Sequence, residues 1–220
     1  MSVSSLRVPR RELAKLRERF ESALENHEAL RDVTESSVAR WQWASSDMYD
    51  LDPLFFLDSH FEVGQALAKK PTNLSGKVAY GFSKDDQLVV ERAFTEFPEN
   101  FYCSFYNYHP DRIVGYRFHQ TQSLAIVNCS QLILEHSLPV CFQRWGRRGW
   151  TSYSYKSTGR RIDCYAGISM AEEESERRFS GKLAYKDNGL VELWVTEGDR
   201  KTPELSFRGM SPTASPFILP

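Results

Sequence analysis

The chain has 220 residues, 41% of them hydrophobic, which suffices for one sizeable core and is short for two. Its 28 Lys and Arg nearly balance its 29 Asp and Glu, so no global field draws it to nucleic acid or to an anionic membrane, and a polynucleotide partner is disfavoured. Cys103, Cys129, Cys141 and Cys164 are widely spaced without CxxC pairing and read as buried, reduced thiols, although a cross-strand pair such as Cys129 with Cys141 stays open in an oxidising compartment.

At the N-terminus, Leu6, Val8 and Leu13 are interrupted by Arg7, Pro9, Arg10 and Arg11. That pattern makes neither a signal peptide nor a membrane span, and the expectation is a soluble, cytoplasmic protein. Over residues 9–30, Leu13, Leu16, Phe20, Ala23, Leu24 and Leu30 recur three or four apart with charges between them, which predicts one amphipathic helix. Pro9 suits its first turn and Glu12 its positive end, and the basic residues from Arg7 to Arg19 read as a solvated face.

A second, shorter helix is predicted from about Glu35 to Asp47, with Val38, Trp41 and Met48 on one side. Tyr49 to Leu57 then mixes acids and bulky apolar groups around Pro53, which breaks regular helix; this segment is expected to seal one face or end of a sheet. The N-terminal segment, residues 1–76, is thus integral to the fold.

From Lys77 to residue 209 strand text dominates, with hairpin turns predicted at 84–87, 98–100, 110–111, 146–149, 157–159 and 187–189, where Gly, Asn, Asp or Pro supplies the backbone angles. In Phe101 to Tyr108, the residues Phe101, Cys103, Phe105 and Asn107 alternate with Tyr102, Tyr106 and Tyr108. Both faces of that strand are partly apolar, so helices cover one side, the sheet curls, or a partner binds. Residues 120–130 break the rhythm and read as a longer connection. The acidic run 171–176 reads as a solvated strand end or loop, and residues 210–220 as a Pro- and Ser-containing tail.

One phrase recurs along this meander: alternating aromatic or aliphatic residues, a polar tip with Gly or Asp, often a basic residue, then an aliphatic pair. It occurs at Val78 to Val90, Phe105 to Val114, Tyr153 to Ile162 and Leu183 to Val191. The phrase resembles the YD repeats of bacterial Rhs proteins, best at Tyr155 to Ile162 and in part at Tyr108 to Ile113 and Tyr185 to Val191. With only four to six hairpins, it is too short to wind the large Rhs shell. A helical start followed by YD-like hairpins looks like small bacterial proteins, some of them beside polymorphic toxins, and that resemblance implies a binding or immunity role.

Chemistry leaves little trace in the sequence. The five histidines, His27, His60, His109, His119 and His136, form no HExxH or HxH and do not pair with cysteine at zinc spacing. The group nearest to a metal set, Asp47, Asp50, Asp52, Asp58 and His60, lacks the glycine and spacing of a calcium loop. No GxSxG elbow, phosphate loop or dinucleotide fingerprint occurs, and neither metal nor cofactor is expected. The more distinctive feature is Gln143 to Trp150, where Arg144, Trp145, Arg147, Arg148 and Trp150 surround a tight turn, since Arg and Trp dominate binding hot spots; the alternative is that Trp145 and Trp150 pack across the hairpin while the arginines are solvated. Arg160 and Arg161 on the next turn are expected to share that end as a basic patch, extended by Tyr102, Tyr106 and Tyr108.

The sequence reading is therefore an α+β domain with N-terminal helices packed on a large twisted antiparallel meander. The expected function is non-catalytic protein binding, as an immunity-type inhibitor that occludes a bacterial toxin. One alternative is a hydrolase or metal-dependent enzyme with a site assembled from dispersed acids and His; another is a structural module of a larger assembly, with open sheet edges.

Overall fold

The computed structural model describes residues 9–58, 61–97, 99–158, 161–171, 175–185, 190–198 and 202–210, and the chain is mostly antiparallel sheet with a few short helices. The helices are α1 (Arg10–Ser22), α2 (His27–Ser36) and the four-residue α3 (Phe55–Asp58). The strands are β1 (Arg40–Ala44), β2 (Ala66–Leu67), β3 (Val78–Phe82), β4 (Leu88–Phe94), β5 (Phe101–His109), β6 (Arg112–Gln120), β7 (Leu124–Glu135), β8 (Leu138–Gly146), β9 (Gly149–Thr158), β10 (Arg161–Ala171), β11 (Arg177–Tyr185), β12 (Leu190–Glu197) and β13 (Glu204–Met210). From β3 to β13 every strand pairs antiparallel with its successor, while β1 adds to the free side of β3 and β2 lies outside β1. Among the described residues no helix is long and apolar enough to cross a membrane.

The sheet is rolled, and a short segment shows it. The Met48 amide donates to the Tyr80 hydroxyl on β3 at 2.8 Å, and α3, ten residues on at its far end, lies against β13. Such a segment spans at most about 35 Å even when fully extended. Ten strand spacings separate β3 from β13, about 48 Å on a flat sheet. The sheet therefore wraps around the proline-broken segment, which was expected only to seal one face or end of it.

Leu51, Leu54 and Leu57 enter one continuous apolar cluster with Tyr80, Leu88, Ile113, Leu132, Phe142, Tyr155, Tyr165, Leu183 and Leu193 on the inner face. Burial of each such side chain contributes about 1.5–3 kcal/mol, which stabilises the roll. Asp52 turns the chain there: its Oδ1 accepts the Leu54 amide at 3.0 Å and the Tyr155 hydroxyl at 3.4 Å.

On the other face, Leu16 of α1 clusters with Val114 and Cys129, and Ala23 and Leu30 with Val90, Cys103, Phe105 and Phe118. A fully buried glutamine ladder also ties α1 down. Gln143 Nε2 donates to the Pro9 carbonyl and to Ser152 Oγ, both at 3.0 Å, and Gln131 Nε2 donates to Gln143 Oε1 at 2.8 Å and to the Glu12 carbonyl at 3.3 Å. Arg19 completes the set by donating to Gln131 Oε1 at 3.1 Å. The Phe101 to Tyr108 alternation is as expected: Cys103 and Phe105 lie in the helix-side cluster and Tyr106 in the inner one.

Three expected elements are corrected. The single helix over 9–30 is two, because the chain turns at 23–26, where Asn26 Nδ2 donates to the Ser22 carbonyl at 2.9 Å and competes with continued helix. The turn lets α2 lie over β4 and β5 while α1 lies over β7 and β8. The helix over 35–47 is the end of α2 followed by strand β1: Trp41 and Trp43 follow a period of two, not 3.6. Trp41 lies under the Arg92 guanidinium at 5.3 Å and Trp43 stacks on Phe94 at 5.9 Å.

The third correction concerns residues 120–130, expected as a connection. Thr121 to Ser123 make a short turn, and β7 runs unbroken through residues 124–135. Of the hairpin turns, those at 84–87, 110–111 and 146–149 lie where expected, and the strands flanking 98–100, 157–159 and 187–189 pair across turns that fall partly or wholly outside the described residues. Gly149 holds φ 129°, and a Cβ there would lie 2.0 Å from the Met170 carbonyl oxygen, so the β8–β9 turn depends on glycine. Residues 211–220 and Glu172 to Glu174 lie outside the described residues.

Candidate functional site

The inner face is apolar except where β4 to β8 cross the middle of the roll. Strand period and register bring Glu91 beside Ser104, Ser104 beside Arg117, Arg117 beside Asn128, and Ser130 beside Arg144. Tyr106 shares this face, opposite Gly115. The loop after β1 lowers Asp47 and Asp50 onto the same patch. All of these except Glu91, with Leu51, Phe55 and Phe61, line a chamber of about 320 Å3.

Glu91 forms the floor beneath the chamber. It is 2% exposed, accepts the Tyr106 hydroxyl at 3.1 Å and the Ser104 hydroxyl at 3.4 Å, and faces Arg117 Nη1 at 3.4 Å. Burial pushes its carboxyl up to about 7, against the attraction of Arg117. Asp47 is raised as well, chiefly by burial, with Arg117 opposing and Asp50 adding repulsion. The Tyr106 hydroxyl, buried above Glu91, is held well above its ordinary range by burial first and by that carboxylate second, so it acts as a hydrogen-bond donor at neutral pH.

Arg144 stands at the neck of a second, wider cavity of about 630 Å3. The two cavities share Val127, Asn128 and Arg144. The wider one opens at the β8–β9 turn and is lined also by Tyr102, His119, Arg147, Arg148 and Trp150. Tyr102 stacks on His119 with ring centroids 4.3 Å apart, and the Arg117 guanidinium covers Tyr102 at 5.1 Å, so one stack links the vestibule to the chamber.

Of the residues singled out from sequence, Arg144, Arg147, Arg148, Trp150 and Tyr102 thus converge on the vestibule, and Arg144 and Tyr106 on the chamber. Only Arg147 and Arg148 of the turn are exposed. Trp150 is 8% exposed and packs rather than presents a surface. Trp145 belongs to the α1 cluster, with Arg17 over its ring at 5.5 Å, and Tyr108 spends its hydroxyl on the Leu88 carbonyl at 3.1 Å.

The basic patch expected from both turns does not assemble. Successive turns of a meander lie at opposite ends of the sheet, and β9 separates these two by its whole length, roughly 30 Å. Arg161 sits at that far end over the Tyr185 ring at 5.1 Å, and Arg160 lies outside the described residues. The expected acid group also divides: Asp47 and Asp50 reach the chamber, Asp52 is the buried turn residue, and the Asp58 side chain and His60 lie outside the described residues. Among the described residues no three of His, Cys, Asp and Glu are placed to hold a metal ion.

Sequence reasoning missed Arg117, Asn128 and Ser130 as a set. A signal was there: at alternate positions of β7, Asn128 and Ser130 interrupt the apolar series Leu124, Ile126, Leu132 and Leu134. No family model, curated protein or solved structure matches the chain.

Proposed function

We propose that the protein is a non-catalytic binding module that receives its ligand inside the rolled sheet, through the vestibule and into the chamber. One observation carries this reading: Arg117 and Arg144 face a cavity with their guanidinium groups incompletely used. Their contacts to Glu91 and Asp50 are both 3.4 Å, against about 2.7–2.9 Å for a well-formed charged hydrogen bond. Arg144 Nε is buried with no partner among the described residues. Buried donors without acceptors are costly, and a ligand that supplies acceptors recovers that cost as affinity.

The test is thermal denaturation of the native protein with millimolar orthophosphate, citrate, glucose or free amino acids. The expected result is a higher melting temperature with at least one of these probe classes, lost in Arg144→Gln. No shift with any class, or shifts unchanged in the variant, would overturn the reading.

The exposure of Arg147 and Arg148 at the vestibule rim favours a second reading, in which the occupant is an acidic segment of a partner protein such as the toxin that the YD-like resemblance implies. Pull-down from host lysate and co-expressed neighbouring gene products tests it. A stoichiometric partner lost on Arg147→Glu with Arg148→Glu supports it, and a protein that stays alone refutes it.

A further inference from the structure

The chamber carries more specific chemistry than a generic polar cavity. Its charged lining residues are Asp47, Asp50, Arg117 and Arg144, two of each sign. The positive pair comes from the sheet, on β6 and β8, and the negative pair from the loop between β1 and α3. The two signs thus come from different elements and meet in the chamber, where Asp50 and Arg144 lie 3.4 Å apart.

Both pairs are short of partners. The arginine contacts are long, as above, and Arg144 Nε has none among the described residues. None of the described residues donates a hydrogen bond to the Asp47 carboxylate, although it is half-buried and faces the charge of Asp50. Asp50 uses one oxygen, Oδ1, for both the Asp52 amide at 2.7 Å and Arg144 at 3.4 Å.

A simple anion on the arginines would lie beside two carboxylates, and a simple cation on the aspartates beside two guanidinium groups. In so small a space either repulsion is weakly screened. A ligand with both signs supplies partners to both pairs. We propose that the chamber binds a free α-amino acid as its zwitterion, the carboxylate on Arg117 and Arg144 and the ammonium on Asp47 and Asp50. The volume of about 320 Å3 equals that of about ten water molecules in the liquid, which admits a small amino acid, and Leu51, Phe55 and Phe61 offer an apolar wall to its side chain.

This inference rests on the chamber reading, and calorimetric titration of the full-length protein separates the two. The probes are the free amino acids, their N-acetyl derivatives, which lack the ammonium, and their amides, which lack the carboxylate. At least one free amino acid is expected to bind, with its two derivatives about tenfold or more weaker, as the loss of one charged hydrogen bond implies. Asp47→Asn and Arg144→Gln are each expected to weaken it similarly; the derivatives on the native protein give the same answer should a variant misfold. Equal binding of the derivatives overturns the inference. If orthophosphate or citrate binds in an Arg144-dependent way while no amino acid does, the zwitterion falls and the chamber reading stands; if no probe binds, both fall.

Discussion

Replacing Glu91 with Gln is expected to make the protein more stable at alkaline pH and to leave it little changed in mild acid. In the folded chain the Glu91 carboxyl is pushed up to about 7, from an ordinary 4.5, chiefly because burial disfavours its charged form. Below about pH 4.5 the group is protonated whether the chain is folded or not, and it contributes no pH dependence. Between 4.5 and 7 the unfolded chain releases the proton and the folded chain keeps it, so the unfolded state binds fewer protons and stability falls as pH rises. Above 7 the full cost is present.

The rise from 4.5 to about 7, at about 1.4 kcal/mol per pH unit, amounts to about 3 kcal/mol. For a chain of this length that is on the order of 10 °C in melting temperature. Gln keeps the shape and the partnership with Tyr106 but does not titrate. Urea denaturation of both proteins between pH 5 and 8.5 measures the effect as a gap that widens with pH in favour of Glu91→Gln. Asp47 titrates in both proteins and leaves the gap largely intact. A gap that is flat, or that narrows with rising pH, would show that Glu91 is ionised throughout and held as a plain ion pair by Arg117, and the burial argument would fail.

Further substitutions test the framework that holds the site. Gln143→Leu removes the centre of the buried ladder, leaving the Pro9 carbonyl, Ser152 and Gln131 each short of a partner; a loss of about 1–3 kcal/mol is expected in chemical denaturation, and an unchanged midpoint would mean that the ladder does not anchor α1. Leu54→Ala should cost about 2–5 kcal/mol, because Leu54 is 1% exposed inside the roll, and a cost near zero would show that the segment does not hold the sheet. Gly181→Ala places a Cβ 2.3 Å from the ring of Tyr165, itself 1% exposed; a melting temperature lower by several degrees is expected, and Tyr165→Leu in the same chain should recover part of it.

The strands were legible where aromatic and apolar residues alternate, as in Phe101 to Tyr108. They were hidden where polar side chains face inward. The first half of β7 looked like a connection because Asn128 and Ser130 are polar yet line the chamber. β1 looked like a helix because Val38, Trp41 and Met48 were read as one helical stripe, when pairing with β3 set the outcome. The Arg and Trp turn was visible as a feature, and of its two readings the one with packed tryptophans and solvated arginines fits Trp150, which is buried, and Arg147 and Arg148, which are exposed.

By itself the sequence determined the mostly antiparallel meander, several of its turns, and the proline-broken segment that seals it, since alternation and turn chemistry act over a few neighbouring residues. Only the tertiary structure decided that Asp47, Asp50, Glu91, Arg117 and Arg144 meet. They lie on a loop and on β4, β6 and β8, and their meeting depends on strand register and on how far the sheet rolls around residues 48–58. That roll is a cooperative result of packing the inner face, which no short stretch of sequence encodes.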